Sequence, residues 1–120
     1  MLVQKSTEVY TDLSGFSALT DLLTNGADSI RPLVAEEEDG VSFVTYSIRF
    51  DGFATKGSAK DFEVVVQSWA DTYDKSIAIA DQVFKAFNAG AAKYTNYISA
   101  TPKFSEQQQI YTEQIFNIKI

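Results

Sequence analysis

The 120-residue chain contains no cysteine and no histidine. The first absence excludes disulfides and thiolate metal sites. The second removes the commonest general base and the commonest metal ligand. Clustered positive charge is missing too, because ten Lys and Arg are scattered singly among sixteen Asp and Glu, for a net charge of −6. An acidic surface repels phosphates, so neither sequence-specific nor non-specific nucleic-acid binding is expected. No apolar run approaches the roughly 18 residues that a membrane-spanning helix needs. The first residues show no basic region followed by an apolar core, so no leader is expected and the default expectation is a cytosolic protein without a membrane partner.

What is present is the composition of one folded domain, 45% hydrophobic and 22% charged, with nine Phe and six Tyr. A length of 120 residues fits a single domain over 1–120. The surplus of Tyr also suits a contact surface, since a phenol covers apolar area and still reaches water.

The clearest stretch is Phe62–Phe87. Phe62, Val64 and Val66 alternate with Val65 and Trp69, which predicts a central strand with apolar bulk on both faces. Asp71 or Thr72 then caps a helix, with Asp74 in its first turn. Tyr73, Ile77, Ala80, Val83, Phe84 and Phe87 form an apolar arc of about 120°, expected to face the core. Asp81 and Lys85 have the favourable i,i+4 order on the opposite side.

Before this stretch, Val9, Leu13, Phe16, Leu19 and Leu23 fall on one face of a helix spanning about Thr7–Thr24. Gly15 inside that pattern costs about 1 kcal/mol relative to Ala, which offers an alternative start for the helix after Gly15, and Asn25-Gly26 is a C-terminal stop. Ile30, Leu33 and Val34 around Pro32 suggest a short extended piece crossing the surface. Glu36–Asp39 is a charge run without the ligand spacing or inner glycine of a calcium loop, and reads as a solvated loop.

Val41–Phe50 predicts a half-buried strand, with Phe43 and Thr45 on one face and Val44, Tyr46, Ile48 and Phe50 on the other. The segment 51–60, with Phe53, Lys56 and Lys60, reads as a mobile hairpin loop. Its Gly-Lys pattern lacks the Ser or Thr of a phosphate-cradling loop. Tyr94–Phe104 predicts a third strand, with Tyr94, Ile98 and Phe104 on one face and Tyr97 on the other. Pro102 marks an edge or a bulge. Ile110–Ile120 closes the chain as a fourth strand. The fold class that follows is α+β, in the order α-β-β-α-β-β, with a four-stranded mainly antiparallel sheet and two helices packed on one face. The uncovered face, bearing aromatics, suits an oligomer.

No carboxylate pair, nucleophile elbow or metal-ligand spacing appears, so an enzyme is not expected, and catalytic, cofactor-binding and metal residues are all expected to be absent. Cofactors are none on this reading.

The segment VVVQSWADTYDKSIAIADQVFKAF resembles a family of small proteins encoded in the tail-assembly regions of tailed bacteriophages and prophages, the tail-completion or head–tail joining proteins. Members show a strand ending in an aromatic, a short Thr-Tyr or Ser-Tyr turn, and a helix whose core here is Ala80-Asp81-x-Val83 after Tyr73. FSALTDLLTNG is similar to the family's N-terminal helix, and Ile30-Arg31-Pro32 stands at its Arg-Ile-Tyr-Pro-like step, one residue shorter and without the Tyr. Val41–Tyr46 fills the place of its Pro-Tyr-x-x-Tyr strand, and QQQIYTEQIFNIKI resembles its closing strand. Glu36–Asp39 departs from the pattern.

The resemblance implies a structural subunit of a tail terminator that closes into a homo-oligomeric ring, a hexamer by analogy. Such a ring ends the tail tube and presents it to the head–tail connector. Its implied partners are further copies of itself, the tail-tube protein and the connector, with DNA at most passing through the channel. Its implied place is the tail or neck of a virion assembled in the bacterial host cytoplasm. Phe53, Lys56, Lys60, Tyr94 and Tyr97 are the interface candidates. The alternative is a small acidic binding protein, such as an immunity protein neutralising a basic toxin, which size and charge fit equally.

Overall fold

A computed structural model describes residues 2–32, 41–50, 61–89, 94–104 and 110–119. Helix α1 (Leu2–Ser14) is followed by the single turn α2 (Ser17–Thr20), a 3-10 turn at Gly26–Ser29 and the short strand β1 (Ile30–Pro32). The main body is β2 (Phe43–Phe50), β3 (Asp61–Ala70), α3 (Tyr73–Ala89), β4 (Tyr94–Phe104) and β5 (Ile110–Lys119).

The strands form one sheet in the order β1-β2-β3-β5-β4. β2–β3 and β4–β5 are antiparallel hairpins joined through the antiparallel β3–β5 pair, so β3 is central as its two-sided apolar pattern requires. The four-stranded antiparallel α+β arrangement is therefore present, with one addition. Ile30–Pro32 pairs parallel with β2 and makes a fifth strand at the edge. Ile30 inserts into the core, which holds this three-residue piece in register.

The N-terminal helix starts earlier than its periodicity suggests, and Gly15 follows its end instead of preceding its start. Gly15 N–H still bonds Thr11 O at 3.0 Å, but Phe16 turns extended and restarts the chain as α2. Both pieces keep one apolar stripe, and Val9, Leu13, Leu19 and Leu23 are all buried. Gly26 takes φ 59°, the left-handed conformation that favours glycine. The chain then returns to the sheet through a reciprocal clamp. Thr24 N–H donates to Ser42 O and Ser42 N–H to Thr24 Oγ1, both at 3.0 Å.

The core lies between one sheet face and the helices. Val44, Tyr46, Val64, Val66 and Phe116 meet Val9, Leu13, Ile79, Val83 and Phe87. Phe87 and Phe116 pack edge to face with ring centroids 4.7 Å apart. Burial pushes the Tyr46 phenol above its ordinary pKa. A hydrogen bond with Ser6 partly offsets this, and nearby Tyr10 adds to the rise.

The contact face of α3 differs from its apolar arc. Ala80, Val83 and Phe87 are buried, but so are Ser76, Ile79 and Ala86, whereas Tyr73 and Ile77 are exposed. The cause is polar. Ser76 Oγ donates to Ser68 O at 2.9 Å and lies 2.8 Å from Thr112 Oγ1. Gln114 Nε2 donates to Ala80 O at 3.0 Å. These buried bonds between helix and sheet fix the rotation of α3 and leave Tyr73 and Ile77 at one margin of the buried stripe. Thr72 caps the helix by accepting from Lys75 N–H at 3.2 Å.

Candidate functional site

With both helices on one face, the other sheet face carries alternate residues of four strands. At one end of the sheet, register aligns Phe43, Trp69, Tyr111 and Lys103 across β2, β3, β5 and β4. The three rings stack: Phe43–Trp69 centroids are 5.5 Å apart and Trp69–Tyr111 centroids 4.3 Å. Two residues further along lies the row Thr45, Gln67 and Glu113.

The two rows are tied by a hydrogen-bond chain whose direction is fixed. Trp69 Nε1–H can only donate, and it does so to Thr45 Oγ1 at 3.1 Å. Thr45 in turn donates to Gln67 Oε1 at 3.0 Å, which orients that amide so that Gln67 Nε2 donates to Glu113 Oε2 at 3.3 Å. Lys103 Nζ closes the chain on Glu113 Oε1 at 2.9 Å. Lys103, with help from Gln67, holds the Glu113 carboxyl below the ordinary carboxylate range, and Glu113 raises Lys103 above the usual lysine value. The ladder links side chains of β2, β3, β5 and β4 and so stiffens the face. It offers neither an activated nucleophile nor a free base.

Register also settles where the predicted strand residues lie. β4 is an edge strand, as Pro102 implies, and Tyr94 and Tyr97 stand on it opposite Ile118 and Phe116. Shifts between Tyr94 and Asn96 and between Tyr97 and Ser99 interrupt the simple alternation along this strand. The structure brings Tyr94 and Tyr97 to one edge of the sheet. Phe53, Lys56 and Lys60 lie outside the described residues, as does the Glu36–Asp39 run.

Sequence periodicity missed the apolar side chains that the fold leaves in solvent. Among the described residues these are Tyr73 (55% exposed), Ile77 (37%), Tyr10 (36%) and Val41 (57%). Ile77 sat at the margin of the predicted core arc, whereas Tyr73 lay well inside it. Ser76, at the same helical level as Val83 and Phe87, was the signal that the stripe is turned. Among the described residues no group of three acidic, His or Cys side chains could hold a metal ion, and no helix is long and apolar enough to cross a membrane.

No protein-family model matches the sequence. No curated protein matches it either. Among solved structures the chain is similar in fold to one in "Virion of native gene transfer agent (GTA) particle", with a TM-score of 0.70 over 94% of this chain and 91% of that one, at 15% sequence identity. At that identity the likeness is one of fold.

Proposed function

We propose that the protein is a structural, non-catalytic subunit of a phage-like virion, and that it forms a ring which terminates the tail tube and joins it to the head connector. The observation that carries this reading is the fold likeness to a virion chain over nearly the full length of both proteins. The sequence resemblance to tail-completion proteins points independently to the same kind of particle.

The geometry fits a ring subunit. A closed ring needs two different lateral surfaces on each copy. Here the sheet ends in two unlike edges, three-residue β1 beside β2 and eleven-residue β4 beside β5. Tyr94 and Tyr97 belong to the second edge, and the 51–60 segment is assigned to contacts along the ring axis. A net charge of −6 suits a channel through which DNA slides without sticking.

The test uses tail tubes polymerised from the cognate tube protein in the absence of a terminator. Added protein caps one end of each tube, stops its growth and appears there as a ring in electron micrographs. Tubes that keep growing with bare ends overturn the proposal.

A further inference from the structure

Where α3 first meets the sheet, the buried side chains are short and several are polar. Ser68 and Ala70 of β3, Thr112 of β5, and Ser76 and Ala80 of α3 are all buried, the last two one helical turn apart. Further along the same interface the core is filled by larger groups, among them Val66, Val83, Phe87 and Phe116.

Ser68 is the group that this arrangement leaves unanswered. Its side chain is fully buried, and its Oγ has no hydrogen-bond partner among the described residues. Folded proteins rarely bury a hydroxyl in that condition, because it has given up water and gained nothing in return. Register shows what surrounds it. Val44 lies opposite on β2, and Val66 and Ala70 lie two positions away on the same face, none with a polar side-chain atom. Thr112 lies opposite on β5, but its hydroxyl is turned to Ser76 Oγ at 2.8 Å. Cross-strand partners hold their Cβ atoms about 4.5–5.5 Å apart. A single water, about 2.8 Å from each of two oxygens, spans a gap of that order.

We propose that Ser68, Thr112 and Ser76 hold one buried water molecule at the seat of α3. Donors and acceptors balance only with such a ligand. Ser76 Oγ–H is directed to Ser68 O, and Thr112 Oγ1–H to Ser76 Oγ. The Ser68 hydroxyl proton is then the one donor of the three left over, while Thr112 Oγ1 and Ser76 Oγ each keep an acceptor lone pair. Water accepts from Ser68 and donates to Thr112 and Ser76, which makes the three bonds usual for a buried water. An apolar ligand would leave Ser68 unanswered, and three neutral hydroxyls supply no charge to balance an ion. The helix is thus seated on the sheet through a solvent molecule as well as through its direct bonds. This inference is independent of the ring reading.

Two measurements on the full chain test it. A crystal structure of the unaltered protein, at a resolution that shows ordered solvent, is expected to place a water within hydrogen-bond distance of Ser68 Oγ and Thr112 Oγ1. Thermal unfolding of Ser68→Ala then separates a wet seat from a dry one by sign. With a water in place the variant loses a bond to it, and its midpoint falls by several degrees. With Ser68 merely unpaired, the variant sheds a buried polar group, and its midpoint stays the same or rises. A water at that position together with a lowered midpoint supports the proposal. An empty position, or a midpoint that is unchanged or higher, overturns it. Should Ser68→Ala fail to fold, the structure of the unaltered chain decides alone.

Discussion

The hydroxyls of Ser76 and Thr112 lie 2.8 Å apart beneath helix α3, both buried. Ser76 spends its single proton on Ser68 O, so Thr112 is the donor of the pair. This chain of two bonds seats the helix, and its position explains why Tyr73 and Ile77 face water.

Replacing Ser76 with Ala removes both bonds and leaves the Thr112 hydroxyl and the Ser68 carbonyl short of a partner in a buried site. The expected loss is about 1–3 kcal/mol of stability, measured by urea unfolding. Adding Thr112→Val to Ser76→Ala recovers part of that loss, because the orphaned hydroxyl is gone. An additive double variant would show that the two groups are not coupled.

The Trp69 ladder makes a separate prediction. Thr45 both accepts from Trp69 and donates to Gln67, and it is buried. Thr45→Val keeps its shape and breaks both bonds, with an expected cost of about 1–3 kcal/mol. Trp69 is the chain's one tryptophan. Its fluorescence therefore reports the freed indole without interference, as altered emission in the folded state and a lower thermal midpoint.

The Lys103–Glu113 pair sets the pH response of the same face. Glu113 has a folded pKa below its unfolded value, so its contribution is complete above the ordinary carboxylate range and is lost as pH falls through the folded value. Lys103 has a raised folded pKa, so its contribution is complete below the ordinary lysine value and is lost as pH rises through the folded one. Thermal midpoints of the unaltered protein and of Glu113→Gln, measured from neutral to acid pH, are expected to converge as the acid limb is reached. Parallel curves would show that Glu113 contributes nothing.

Gly26 offers a backbone test. Its φ of 59° strains any residue with a Cβ, although the space around it is open. Gly26→Ala is expected to cost about 1–2 kcal/mol and Gly26→Asn less, since Asn tolerates the left-handed region. Equal effects of the two would point to a packing cause instead.

Much of this fold could be read from residue order. Alternation placed β4 at Tyr94–Phe104, the same bounds as in the structure, and the two-sided valines of Phe62–Trp69 made β3 central. Asn25-Gly26 marked a stop that the chain reaches after α2 has already ended at Thr20, and Gly15 separates α1 from α2 instead of preceding a single helix. Three features were not legible, each for a physical reason. β1 is three residues long, too short for any period, and exists because Ile30 finds the core and β2 offers an edge. The rotation of α3 is decided by hydroxyl and amide bonds to Ser68, Thr112 and Gln114, which a hydrophobic pattern does not encode. The outer ladder depends on register between residues up to 46 positions apart, such as Gln67 and Glu113, and a single sequence does not state that register. The exposed residues Tyr10, Val41, Tyr73 and Ile77 follow from these tertiary choices, so they too become visible only in the fold.

The central claim is that the chain assembles into a closed ring through unlike ends, and the native mass of the purified protein tests it most directly. Measured across rising protein concentration, the expected result is one discrete closed oligomer, a hexamer of the 13.3 kDa subunit, with no larger open-ended species. A monomer that persists at the highest concentration, or a series of oligomers that never closes, contradicts it.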